Sequence, residues 1–120
     1  MINITQNKVN TFTVYAKGTL AGTIRYLLEF ENKATGTKDY CLSTNAADST
    51  CPFLVLSVTE AGRTGTEDKV NGKLKLTPAG GHTLNIYEQS SLTNLAPALA
   101  TKIFGIEEVN IIRDNDDAYT

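Results

Sequence analysis

Residues 24–32 read Ile24-Arg25-Tyr26-Leu27-Leu28-Glu29-Phe30-Glu31-Asn32, and this stretch decides the fold. Apolar side chains occupy every second position, and charged side chains occupy most of the positions between them. An alternation of period two predicts a β-strand with one buried face, formed here by Ile24, Tyr26, Leu28 and Phe30. Leu27 interrupts the polar face, which favours a strand that is central in its sheet or covered on both sides.

The same alternation recurs along the chain and predicts further strands at residues 11–16, 39–43, 53–59, 70–76, 82–88 and 102–113. In the strand at 39–43, either Tyr40 and Leu42 or Cys41 faces inward, since the pattern does not choose between the two faces. The inward positions that the pattern does choose give a predicted core of Phe12, Val14, Tyr26, Leu28, Phe30, Leu54, Leu56, Leu74, Leu76, Leu84 and Ile86.

The last predicted strand changes phase near Glu107-Glu108. The apolar residues before this point, Phe104 and Ile106, share a parity that Val109 and Ile111 do not. One extra residue in the strand would restore the alternation, so we expect a β-bulge there.

Strand starts recur every ten to sixteen residues, and turn-forming residues separate them. Residues 90–100 contain Pro97, which stops a helix from propagating, and we expect an ordered connection between two strands there. The sequence therefore predicts an all-β fold: a single antiparallel β-sandwich of about seven to eight strands, immunoglobulin-like or jelly-roll-like. It spans residues 1–113, and residues 114–120 form an acidic C-terminal tail.

Composition and charge exclude several classes of protein. The 120 residues are 41% hydrophobic and 20% charged, which is typical of a folded globular domain. A net charge of −2 and scattered lysines and arginines give no attraction to phosphate backbones or anionic lipid. We expect no nucleic-acid partner and no membrane.

The N-terminus has no basic start followed by an apolar run, so no signal peptide is expected. We expect a protein that is made and kept in an aqueous compartment, without export. In that compartment Cys41 and Cys51 are expected to be reduced thiols, although their spacing would also allow them to close a small loop.

The sequence has few side chains suited to acid–base catalysis, because His82 is the only histidine. It follows a Gly-Gly turn, and we expect an exposed imidazole. A zinc site would need Cys41, Cys51 and His82, whose spacing does not match common structural sites. Glu107 and Glu108 are adjacent on a strand and point to opposite faces, so they cannot act as a catalytic pair. We expect no enzymatic activity, and we assign no catalytic, cofactor-binding or metal-binding residue.

Two further sets of side chains are open to a ligand-binding interpretation. Asp114, Asp116 and Asp117 lack the glycine and distal glutamate of a calcium loop, and a solvated tail is the expected role. Tyrosines are the second set, and they would form a groove for sugar or peptide only if several shared an exposed face; otherwise they are core residues. These tyrosines are Tyr15, Tyr26, Tyr40 and Tyr87.

One stretch is more specific than the rest: Leu84-Asn85-Ile86-Tyr87-Glu88-Gln89-Ser90-Ser91-Leu92-Thr93-Asn94-Leu95-Ala96-Pro97. With residues 10–14, residues 26–32 and the Tyr40-Cys41 pair, it resembles small β-sandwich virion proteins of tailed phages, especially crAss-like phages of Bacteroidetes hosts. The resemblance spans nearly the whole chain. The sequence departs from that pattern at Ala96, where an acidic residue is expected, and at Glu107-Glu108.

The resemblance implies an auxiliary capsid, or head-decoration, protein that binds the capsid surface in many copies and anchors head fibres. Its expected partners are the major capsid protein and head-fibre proteins. Its expected location is the virion, after synthesis in the host bacterial cytoplasm. The resemblance carries over no functional residue and no cofactor. The alternative is a carbohydrate- or receptor-binding β-sandwich module that uses Tyr15 or Tyr87 as a stacking platform.

Overall fold

The computed structural model describes residues 2–15, 25–46, 53–62, 65–76 and 80–112. Within these residues the backbone forms eight strands: β1 (Ile2–Thr5), β2 (Val9–Val14), β3 (Arg25–Asn32), β4 (Lys38–Thr44), β5 (Leu54–Glu60), β6 (Lys73–Leu74), β7 (Gly80–Glu88) and β8 (Thr101–Ile112). Two short 3-10 turns, Lys69–Asn71 and Pro97–Leu99, are the remaining regular elements. The predicted all-β fold is confirmed. The predicted acidic tail lies outside the described residues.

The strands form two sheets of mixed direction. The large sheet has the order β1-β8-β7-β3-β4, and the small sheet has the order β2-β5-β6. Most pairs are antiparallel, but β1 pairs with β8 and β5 pairs with β6 in parallel, so the sheets are not purely antiparallel as expected. A turn at Gln6–Lys8, where Asn7 has a φ of 60°, places β1 and β2 in different sheets, so β1 and β2 do not form a hairpin.

One core cluster collects side chains from both sheets. Ten of the eleven predicted core residues are buried, and Phe12 packs against the cluster while partly exposed. Cys41 lies in this cluster, so the strand at 39–43 turns Cys41 inward and Tyr40 and Leu42 to the opposite face. Leu27 is also buried, and β3 lies between β7 and β4, which confirms its predicted central position.

The predicted bulge in β8 is present. His82 of β7 is opposite Val109, whereas Leu84 is opposite Ile106, so three steps along β8 match two steps along β7. The extra residue lies in the Glu107-Glu108 region and restores the inward parity of Val109 and Ile111, both of which are buried.

Two sequence-based expectations are wrong. His82 is 1% exposed, because β7 begins at Gly80 and His82 shares the inward parity of Leu84 and Ile86. The predicted strand at 70–76 is reduced to β6, because Gly72 adopts a left-handed φ of 77° and closes the turn with an N–H bond to the Lys69 carbonyl oxygen. The inward placement of Leu74 and Leu76 is nonetheless confirmed.

A buried carboxylate ties three chain segments together. Glu60, at the end of β5, is 1% exposed. Its Oε1 accepts hydrogen bonds from the backbone N–H of Asn7 at 3.1 Å and of Gly62 at 2.6 Å, and its Oε2 accepts one from Leu76 at 2.6 Å. The bonds from Gly62 and Leu76 satisfy backbone donors that would otherwise be buried without partners.

The connection between β7 and β8 is ordered, as predicted, and its own side chains hold it. Asn94 donates to Gln89 Oε1 at 2.6 Å and to the Ala96 carbonyl at 2.9 Å, and Gln89 donates to the Asn94 carbonyl at 2.9 Å. Ser91 Oγ accepts from the backbone N–H groups of Thr93 and Asn94. The polar residues of this distinctive stretch therefore stabilise a loop.

Among the described residues, no helix has the length and apolar character that a membrane crossing requires.

Candidate functional site

The outward face of the large sheet, opposite the core, carries a row of polar and aromatic side chains. Tyr40 of β4 pairs with Glu29 of β3, Glu29 pairs with Asn85 of β7, and Asn85 pairs with Gly105 of β8. Tyr87 lies two residues beyond Asn85 on the same face. We call Glu29, Tyr40, Asn85, Tyr87 and Gly105 the tyrosine face.

Glu29 is the centre of this face. Its side chain is 4% exposed although it points away from the core. Asn85 Nδ2 donates to Glu29 Oε1 at 2.9 Å. Tyr40 and Tyr87 lie beside the Glu29 side chain, close enough for its carboxylate to raise the pKa of both phenols. The hydrogen bond from Asn85 offsets part of the cost of burying a carboxylate.

The two phenols remain protonated donors at neutral pH. Burial raises the pKa of Tyr40 and of Tyr87 above the ordinary value, and the neighbouring Glu29 carboxylate raises both pKa values further. Tyr40 on β4 and Tyr87 on β7 lie on either side of Glu29 of β3, so the sheet places both next to the same carboxylate. Both tyrosines are half-buried, so part of each side chain still meets solvent.

Gly105 leaves the β8 side of the tyrosine face without a side chain opposite Asn85. A Cβ at this position would lie 3.1 Å from Asn85 Oδ1 and 3.4 Å from the end of the Lys102 side chain. Any larger residue would therefore press on Asn85, the donor to Glu29. Lys102 on β8 and Lys38 on β4 are exposed and flank the face on its two sides.

The chemistry of the tyrosine face suits binding. It offers aromatic surface, hydroxyls and an amide on one face of the sheet, and tyrosine contributes a large contact area at a low cost in conformational entropy. In the part of the chain that the structure describes, no three His, Cys, Asp or Glu side chains come together as a metal site would require.

The residues considered for chemistry from the sequence are dispersed. Cys41 is a free, buried thiol, and burial raises its pKa to about 12, so it is protonated at neutral pH. His82 is buried among core residues, with Nδ1 at 3.1 Å from the Gly80 carbonyl oxygen. Cys51 lies outside the described residues, as do Asp114, Asp116 and Asp117.

The four tyrosines considered from the sequence do not lie together at one site. Tyr26 belongs to the core cluster, and Tyr15 is 77% exposed next to Phe53, with ring centroids 6.0 Å apart. Only Tyr40 and Tyr87 of the four share an outward face. Sequence reasoning missed the residues between them, Glu29 and Asn85, although the parity of Asn85 with Tyr87 was a usable signal.

The chain matches no protein-family model, no curated protein and no solved structure.

Proposed function

We propose that the chain is a phage virion structural protein, an auxiliary capsid protein that binds the capsid surface in many copies and anchors head fibres. The observation that carries this proposal is the tyrosine face. Tyr40 and Tyr87 lie on either side of Glu29 on one outward face, and both are half-buried. Tyrosine gives a large contact area at a low cost in conformational entropy, which suits a contact that is repeated over a lattice.

The proposal includes a finer description of the fold. We propose that the two sheets form a β-sandwich of immunoglobulin-like strand order. The order β8-β7-β3-β4 is that of the sheet containing the last two strands in variable-type immunoglobulin domains, and the β2/β5 pair corresponds to the central pair of the opposite sheet. The shared core supports the same arrangement. This strand order favours the immunoglobulin-like architecture over the jelly roll.

The motif resemblance supports the phage assignment independently of the tyrosine face. The segment from Leu84 to Pro97 includes two members of that face, Asn85 and Tyr87, and the loop held by Gln89 and Asn94. In a decoration protein this loop would lie at the end of the sheet, where strand connections are available for contacts with head fibres.

Mass spectrometry of purified phage particles from the source of the sequence tests the proposal. We expect the chain to be present at a fixed ratio to the major capsid protein, on the order of tens of copies per particle or more, because a lattice repeats each contact. Absence of the chain from the particles, or a trace amount that varies between preparations, would overturn the capsid role.

A second candidate function is carbohydrate binding, and one observation favours it. The tyrosine face places aromatic side chains beside a carboxylate and an amide, which together match the apolar faces and hydroxyls of a sugar ring. Glycan binding by the isolated chain that is abolished by Tyr87→Ala and retained by Tyr15→Ala would favour this candidate.

A further inference from the structure

A second site lies away from the tyrosine face, where the edge of the large sheet meets the small sheet. It is a polar cleft of about 290 Å³. The residues that line it include Arg25, Ser43, Thr44, Thr59, Asn71 and Gly72. Ser43 joins the two sheets at its floor, because Ser43 Oγ donates to the Ser57 carbonyl at 3.0 Å and accepts from the Ser57 N–H at 3.1 Å.

Arg25 supplies the positive charge of the cleft, and its guanidinium is held in position. Arg25 Nη1 donates to the Val70 carbonyl oxygen and lies 3.5 Å from Asn71 Oδ1. Asn71 is itself fixed, since its Nδ2 donates to Asp68 Oδ2 at 2.8 Å. Arg25 Nε and Nη2 have no partner among the described residues, so the rigid fork retains donors for a further acceptor.

Gly72 forms part of the wall of the cleft, where its backbone lies close to β4. Gly72 has a left-handed φ of 77°, and a Cβ there would lie 2.9 Å from the Leu42 carbonyl oxygen. Thr44 and Thr59 also line the cleft, and their hydroxyls have no hydrogen-bond partner among the described residues. The cleft therefore combines a fixed guanidinium with two hydroxyls that can donate to an oxyanion.

We infer that this cleft binds a carboxylate of the kind an acidic side chain presents on a partner protein. The volume is at the lower limit of ligand pockets and fits a side chain better than a whole metabolite. The charge balance favours a single negative charge, because Arg25 is the one cationic side chain that lines the cleft and Asp68 lies just behind Asn71. A dianionic phosphate would lack a second positive partner.

An NMR titration tests this inference on the intact chain. The probes are N-acetyl-aspartate amide, which mimics an acidic side chain, N-acetyl-alanine, which mimics a chain terminus, and inorganic phosphate. We expect saturable shifts of the Arg25 Nε–H and Thr59 signals with the aspartate probe at millimolar concentration, and weaker binding of phosphate. Tighter binding of phosphate, tighter binding of the terminus mimic, or no saturable shift with the aspartate probe would overturn the inference.

Three variants distinguish binding in the cleft from an effect of the net charge of the protein. Arg25→Gln is expected to weaken binding by roughly tenfold or more, and Arg25→Lys to weaken it clearly because lysine lacks the planar fork. Lys38→Gln removes the same charge from an exposed position on β4 and should bind as the unmodified protein does. Equal losses in Lys38→Gln and Arg25→Gln would show that the shifts report net charge, and would overturn the site. Unchanged dispersion of the remaining amide signals confirms that each variant is folded.

Discussion

Replacing Glu60 with alanine is expected to lower the free energy of unfolding by at least about 2 kcal/mol. The Glu60 carboxylate accepts hydrogen bonds from three backbone N–H groups, those of Asn7, Gly62 and Leu76, and the side chain is 1% exposed. The bonds from Gly62 and Leu76 are buried, and each of these two donors left unpaired costs about 1–3 kcal/mol because alanine provides no replacement acceptor. Denaturant unfolding followed by circular dichroism measures the loss.

Two further variants make the Glu60 result specific. Glu60→Gln keeps the side-chain shape but turns one acceptor oxygen into a donor, so its loss should fall between zero and that of alanine. Glu108→Ala removes an exposed glutamate from β8 and should change the free energy of unfolding by less than about 0.5 kcal/mol. A loss below about 1 kcal/mol in Glu60→Ala would mean that water replaces the carboxylate, contrary to the burial described here.

Leu28→Ala is expected to destabilise the protein by about 2–5 kcal/mol, because it leaves a cavity in the centre of the core. Leu28 is fully buried on β3, where it is opposite Cys41 of β4 and Ile86 of β7. All three residues belong to the core cluster between the two sheets. The midpoint and slope of denaturant unfolding give the change directly.

Leu99→Ala is the matched control, since it makes the same chemical change at a residue that is 76% exposed. Its effect should stay within about 0.5 kcal/mol. If Leu28→Ala cost no more than Leu99→Ala, the inward face assigned to β3 would be wrong.

The strands and the core were predictable from the sequence because alternation is a property of one strand by itself. Tyr26, Leu28 and Phe30 show it clearly, and their burial follows from it. The bulge in β8 was predictable for the same reason, since a phase change within one strand requires an extra residue.

Pairing direction was not predictable, because it depends on where the chain turns between the sheets. β1 has four residues, in which Ile2 and Ile4 alternate with polar side chains. An alternation this short does not by itself predict a strand. The Asn71-Gly72 dipeptide is typical of turns, and the turn it forms shortens the strand that the apolar alternation predicts. A histidine next to a turn is usually exposed, but His82 shares the parity of Leu84 and is therefore buried.

The tyrosine face shows why a site of this kind escapes sequence reading. Tyr40 and Tyr87 are far apart in the chain. They share one face of the sheet because β3 pairs with both β4 and β7. In the sequence, Glu29 occupies the polar face of an alternating strand, where a charged side chain is usually exposed to solvent. Its burial depends on three neighbours that the register brings to it, and register is set by the whole sheet.

Cross-linking mass spectrometry on intact phage particles tests the central claim, that the tyrosine face is the contact surface, most directly. Lys38 and Lys102 flank that face and are exposed, whereas Lys8 lies in the turn between β1 and β2 and serves as an internal control. We predict amine cross-links from Lys38 and Lys102 to the major capsid protein, with Lys8 giving few or none. Cross-links from Lys8 with none from Lys38 and Lys102 would place the contact elsewhere on the molecule and contradict the claim.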